Sequence, residues 1–273
     1  MPELPEVETV RSALALELPG RRVTAVAGRS VSMRRPLDVE ALATILPGRR
    51  FLQPRRRGKF LLLDTDPPGS LLIHLGMSGR LMLVDSAAAH RPHTHVTLTF
   101  EGGRELRFVD PRRFGLMTWL EPDAEGTDPS LITLGREPLD GAIDEWLPPM
   151  LKMRRAPLKT LLLDQRVVVG VGNIYAAEAL WRAGIHPTRQ GRRTSLGRLA
   201  RLAREVRSVL TEAIEQGGTT IRDFATPDGD SGYFAVRLQV YGRQGQPCKA
   251  CGATLRAKTI GGRTTAFCIN CQT

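Results

Sequence analysis

The chain has 273 residues, 41% of them hydrophobic, and carries 39 Lys and Arg against 28 Asp and Glu, a net charge of +11. That length suits two or more domains with real cores. No apolar run approaches the roughly 18 residues of a membrane span, and no basic segment followed by an apolar stretch opens the chain. Neither a membrane span nor a secretory signal is therefore expected, and the cytosol is the expected compartment. The excess charge points to a polyanionic partner, although a solvated arginine-rich surface reads the same way. Aromatic residues are only 5%, too few to stack successive unpaired bases, so a duplex read through its phosphates fits better.

The first residues, Met1-Pro2-Glu3-Leu4-Pro5-Glu6, precede a helix predicted over residues 3–18, with Val7, Val10 and Leu14 on one face and Pro19-Gly20 closing it. Proline and acids in a first turn are ordinary helix-start chemistry. Removal of Met1 would also leave Pro2 as a secondary amine. At pH 7 roughly 10% of a terminal amine is neutral against roughly 0.04% of a lysine, which makes Pro2 the better nucleophile. Glu3 and Glu6 stand where they could exchange protons with a substrate or orient that amine.

From about 21 to 120 the pattern changes to short strands, with Val96, Leu98 and Phe100 alternating with threonines, which predicts an antiparallel sandwich or barrel. Three loops within it stand out. Arg55-Arg56-Arg57-Gly58-Lys59 is a basic turn suited to phosphate. His74-Leu75-Gly76-Met77-Ser78-Gly79 reads either as core histidine and methionine or as a loop presenting Met77. Asp110-Pro111-Arg112-Arg113-Phe114-Gly115 is either an ordinary turn or a guanidinium and a ring able to enter a gap in a duplex.

Residues 122–149, rich in Pro, Gly and Asp, are expected to be a linker. Gly170-Val171-Gly172-Asn173 then reads as flexible backbone before a helix capped by Asn173, able to bind phosphate through free N–H groups. The Lys-Ser/Thr ending of a nucleotide-binding loop is missing, so no nucleotide cofactor is expected. That helix should reach about Ala183, and a longer one, 196–214, should stop at Gly217-Gly218. A Gly/Asp-rich loop at 226–232 and a β pattern over 234–241 lead to Cys248-x2-Cys251-x16-Cys268-x2-Cys271. Two equal pairs at this spacing form a four-thiolate site for one structural zinc ion, with Arg256, Lys258 and Arg263 on the hairpin between them.

Met1–Arg11, His74–Gly79, Asp110–Gly115, Gly170–Tyr175, Gly184–Pro187 and Tyr241–Arg243 with the cysteines occur together and in order. In this the chain resembles the bacterial formamidopyrimidine-DNA glycosylase family over nearly its whole length. The resemblance implies an α+β multidomain protein: an N-terminal helix and antiparallel β-sandwich (1–132), a helical domain with a helix-two-turns-helix motif (133–235), and a zinc ribbon (236–273). It implies excision of 8-oxoguanine and ring-opened purines from damaged double-stranded DNA by a monomer.

The same resemblance makes Pro2 the nucleophile and Glu3 the acid/base group, and sets Lys59 and Arg263 with the catalytic residues. It implies DNA contacts at His93, Arg112, Lys159 and Asn173, void filling by Met77, Arg112 and Phe114, support from Glu6 and Glu178, and zinc on Cys248, Cys251, Cys268 and Cys271. Ala235, Arg136 and Ala177 depart from the family pattern. Two rival readings are an endonuclease VIII-type enzyme acting on oxidised pyrimidines and a zinc-ribbon DNA-binding protein without activity, which would leave the N-terminal segment unexplained.

Overall fold

A computed structural model describes residues 2–217 and 238–273. They divide into two compact units, one within 2–132 and the other comprising 133–216 with 238–273. Ala235 and the Gly/Asp-rich loop at 226–232 lie outside the described residues, as does Met1. Among the described residues no helix is long and apolar enough to cross a membrane.

The first unit opens with α1 (Leu4–Glu17). Its start is fixed by a capping box, in which the Glu3 amide donates to Glu6 Oε2 at 2.8 Å, with Pro5 in the first turn. Leu4, Val7, Val10 and Leu14 form its buried face. The strands that follow are β1 (Val23–Gly28), β2 (Arg50–Phe51), β3 (Arg55–Arg57), β4 (Phe60–Asp66), β5 (Ser70–His74), β6 (Arg80–Asp85), β7 (Thr94–Phe100), β8 (Arg104–Val109) and β9 (Leu116–Leu120). They build two antiparallel sheets, ordered β1-β7-β8-β6 and β2-β4-β5-β9 with β3 paired to β4. Val96, Leu98, Leu106 and Phe108 of one sheet and Leu61, Leu63, Leu71 and Ile73 of the other meet in one core, which also takes Val7, Val10 and Leu14 of α1. Of the sandwich and the barrel that the strand pattern allows, the chain forms the sandwich.

The second unit contains α3 (Ile143–Lys152), α4 (Leu158–Leu163), α5 (Asn173–Arg182), α6 (Leu196–Glu215) and the hairpin β10 (Arg256–Ile260) and β11 (Arg263–Phe267). Ser195 caps α6, which buries Leu199, Leu202, Val206, Val209 and Leu210, and Arg182 pairs with both oxygens of Glu212 to tie α5 to it. The expected linker is shorter than its composition suggests. α3 begins inside it and carries Pro148 and Pro149, because Ile143, Trp146, Leu147 and Leu151 bury one face against α6. Tertiary packing there outweighs the local cost of proline. Two shorter helices, α2 (Val39–Ile45) and α4, are also absent from the sequence reading.

The β pattern at 234–241 yields no strand over its described part, 238–241. The amides of Gln239, Val240 and Tyr241 donate to the buried carboxylate of Glu178 at 2.9, 3.0 and 2.9 Å. A side chain takes the donors that a neighbouring strand would have used.

His74 ends β5 opposite Phe60, with the two rings 4.8 Å apart. Burial, and then the charges of Arg34 and Lys59, push its pKa from 6.5 down to about 3. Its Nδ1 accepts from the Gly76 amide at 2.8 Å, so the neutral ring carries its proton on Nε2. Between pH 6.5 and 3 the unfolded chain binds a proton that the folded chain refuses, so stability falls as pH falls through this window. Urea denaturation should therefore show a smaller loss of stability from pH 7 to pH 4.5 in His74→Asn than in the native protein.

Candidate functional site

In the first unit the head of α1 is held against a hairpin. Glu8 Oε2 accepts from Arg56 Nε at 2.8 Å, a pair only 18% and 10% exposed, and Arg56 also reaches the Gly58 carbonyl. Arg56 lies on β3, and the two-residue turn after it, Gly58-Lys59, carries the half-buried Lys59. An ion pair this well shielded from water holds a defined position better than an exposed one. Glu3 is 1% exposed at the N-cap of α1, immediately after the half-buried Pro2. Glu6 accepts the Glu3 amide, which makes it the orienting partner of the pair.

The Met77 and Phe114 loops of this unit share one anchor. Asp110 is fully buried, and its carboxylate accepts from Ser78 Oγ at 2.6 Å, the Gly115 amide at 2.8 Å and the Arg112 amide at 3.3 Å. Its amide donates to the His93 carbonyl at 3.0 Å, and its own carbonyl lies 2.9 Å from His95 Nε2. A Cβ on Gly76 would come 2.4 Å from the Phe114 carbonyl carbon, so only glycine lets the loops approach this closely. Beyond the anchor Arg112, Arg113 and Phe114 are exposed, Phe114 by 48%, with the Arg112 guanidinium 4.9 Å from the ring centroid. Met77 is half-buried, and exposed His93 holds a left-handed backbone at φ 65°. The structure thus groups His93, Met77, Arg112 and Phe114 around Asp110, for which the sequence reading had no role. His74, read there as a core residue, is buried and close enough to Lys59 to feel its charge.

In the second unit Asn173 is the first residue of α5 and Gly172 is the N-cap, so the expected side-chain cap is not formed. Asn173 Nδ2 instead donates to the Thr264 carbonyl at 3.1 Å, which places Asn173 beside the exposed Arg263 at the start of β11. Lys159 is fully buried, and its ammonium donates to the Asn173 carbonyl at 2.7 Å. Gln165 holds the segment between α4 and α5, donating to the Leu163 and Val171 carbonyls and accepting from the Gly170 amide. Two of the departures from the family pattern are accommodated here. Arg136 stacks over Trp146 at 4.9 Å, and Ala177 packs into the small core shared with Val240, Cys248 and Cys268.

The ligand atoms of Cys248, Cys251, Cys268 and Cys271 all lie within 4.8 Å of one another. Cys251 and Cys268 sulfurs are 3.4 Å apart and those of Cys248 and Cys271 3.9 Å, against about 3.8 Å for the edge of a tetrahedron with 2.3 Å zinc–sulfur bonds. The four thiols fit one zinc ion, and with every position filled by sulfur the ion is structural. It frames the hairpin that carries Arg263.

Three family models match the chain: the formamidopyrimidine-DNA glycosylase N-terminal domain over residues 1–117, the formamidopyrimidine-DNA glycosylase H2TH domain over 134–225, and the zinc finger found in FPG and IleRS over 245–273. Formamidopyrimidine-DNA glycosylases of Stenotrophomonas maltophilia and Xanthomonas campestris are 51% and 50% identical over 273 residues, covering all of both chains. Among solved structures, the Fpg protein of Thermus thermophilus is 43% identical with a TM-score of 0.87, covering 99% of this chain and 98% of that one. The Lactococcus lactis Fpg in complex with DNA containing an abasic site is 32% identical with a TM-score of 0.89, covering 99% of each chain. With matches across both units and the ribbon, the chain belongs to the formamidopyrimidine-DNA glycosylase family.

Proposed function

We propose that this protein is a base-excision repair glycosylase that removes oxidised purines, 8-oxoguanine and formamidopyrimidines, from duplex DNA and then cuts the abasic strand. One observation carries the reading: Pro2 is followed by a buried Glu3 at a head of α1 that Glu6 orients and the Glu8–Arg56 pair holds to the Lys59 hairpin. The DNA-bound Lactococcus lactis relative supports a damaged duplex as the partner. The protein acts as a monomer in the cytosol.

The damaged nucleotide leaves the stack at a cost of a few kcal/mol, which Met77, Arg112 and Phe114 offset by filling the gap. With Met1 removed, the Pro2 nitrogen attacks the anomeric carbon. The glycosidic bond breaks, and the base departs with its electron pair and takes up the proton that the attacking amine gives up. Glu3 gives a proton to the ring oxygen as the sugar opens, leaving an iminium between Pro2 and the carbon. The iminium acidifies the neighbouring C–H, and loss of that proton expels the 3′ phosphate. A second elimination expels the 5′ phosphate, and water releases the amine. His93, Lys59, Asn173 and Arg263 hold phosphates. Lys159 acts through Asn173, whose carbonyl it fixes, and Glu178 holds the chain that enters the ribbon. Zinc supplies the ribbon's fold and no chemistry at the sugar.

Borohydride should trap a covalent adduct between the native protein and lesion DNA. Pro2→Gly should abolish it, while Glu3→Gln should lose base excision and keep DNA binding; an undiminished adduct in the first variant would remove Pro2 from its role. A second measurement addresses the shared anchor. Asp110→Asn, which weakens acceptors serving both loops, should slow excision of an intact lesion by about tenfold or more. Cleavage at a preformed abasic site should change far less, since no base then needs to be extruded.

A further inference from the structure

The second unit carries a cationic surface that none of these steps uses. Residues 146–163 and 179–204 contain no Asp or Glu, and within them Lys152-Met153-Arg154-Arg155 and Arg189-Gln190-Gly191-Arg192-Arg193 supply six cations. The fold brings the two segments together. The Leu158 amide donates to the Arg189 carbonyl at 2.8 Å, the Arg192 amide to the Arg154 carbonyl at 2.9 Å, and the Lys152 ammonium to the carbonyls of Arg192 and Thr194 at 2.9 and 3.0 Å. Gly191 is buried between them, where a Cβ would stand 2.0 Å from the Leu151 carbonyl oxygen, so the close approach requires glycine.

Arg154, Arg155, Arg192 and Arg193 are exposed, and among the described residues none of them has an ion-pair partner. Asp164, whose carboxyl feels Arg154, is already held by both nitrogens of Arg166. Like charges assembled on a rigid turn repel one another and persist where an anion relieves them.

We infer that these four arginines form a second phosphate-binding surface, which takes the duplex flanking the lesion. The inference rests on the glycosylase reading above. Continuity with the clamp favours the same duplex over a separate partner: α4 begins three residues after Arg155, and its Lys159 touches Asn173. Four residues of chain span at most about 14 Å, and the rise of a duplex is 3.4 Å per base pair, so the patch meets phosphates up to about four base pairs beyond those at Asn173.

The test compares the full-length protein with an Arg154→Gln, Arg155→Gln, Arg192→Gln, Arg193→Gln variant, which keeps every backbone bond described here. Affinity for duplexes with a central abasic-site analogue is measured against salt, on a duplex of about half a helical turn closed at both ends by uncharged linkers and on one of about three turns. Each phosphate contact adds about 0.9 to the salt slope, so the native slope should be steeper on the long duplex, and the variant should lose up to about 3.6 of it there and little on the short one. Single-turnover excision at saturating protein should be unchanged. Equal slopes for variant and native protein on both duplexes would overturn the second surface and leave the patch to an acidic protein. Slower excision at saturation would overturn it too, since the arginines would then belong to the chemistry. A native protein that binds neither duplex would overturn the glycosylase reading along with it.

Discussion

Carboxylates withdrawn from water and satisfied by backbone N–H groups fix the functional loops of this protein. Glu6 takes the Glu3 amide, Asp110 takes two amides and a hydroxyl, and Glu178 takes three successive amides. An ionised carboxylate in a protein interior costs several kcal/mol unless donors surround it. The backbone must therefore come to the acid, which makes each one a point of convergence. In a chain of net charge +11 these three acids serve as internal fasteners, while arginines such as Arg112, Arg154 and Arg263 face outward.

The fasteners act on different segments. Asp110 joins two loops that connect the neighbouring ends of four strands, β5 to β6 and β8 to β9. Glu178 joins a helix to the chain entering the ribbon, and the Asn173–Thr264 bond joins the start of that helix to the ribbon hairpin. α5 thus touches the ribbon at two levels, and zinc closes the far end by gathering two segments 17 or more residues apart. None of these ties requires a large apolar interface, which suits a ribbon too small to build a core of its own.

Much of this was legible in the sequence. Alternation along β7, the amphipathic spacing of α6 and the cysteine pairs each carry a period or a spacing that a single chemistry explains. What escaped reading depends on contacts distant in sequence. α3 runs through Pro148-Pro149 because α6 covers it, and Asn173 leaves its own helix end to reach Thr264, 91 residues on. Asp110 stands in full view within its motif, yet its partner Ser78 is 32 residues away, so nothing local marks it as an anchor. Lys159 is the sharpest case. A lysine in a basic chain reads as a surface contact, and burial with its ammonium on a carbonyl is visible only in three dimensions.

Phe114 stands nearly half exposed on a loop whose base is rigid. Water disfavours that ring in the free protein, and the cost is borne continuously, before any DNA arrives. In the proposed extrusion step the ring would enter a gap in the duplex, and the hydrophobic free energy would be recovered at the moment the bases must be parted. On that proposal the folded protein would act as a store, charged during folding and discharged on opening the helix.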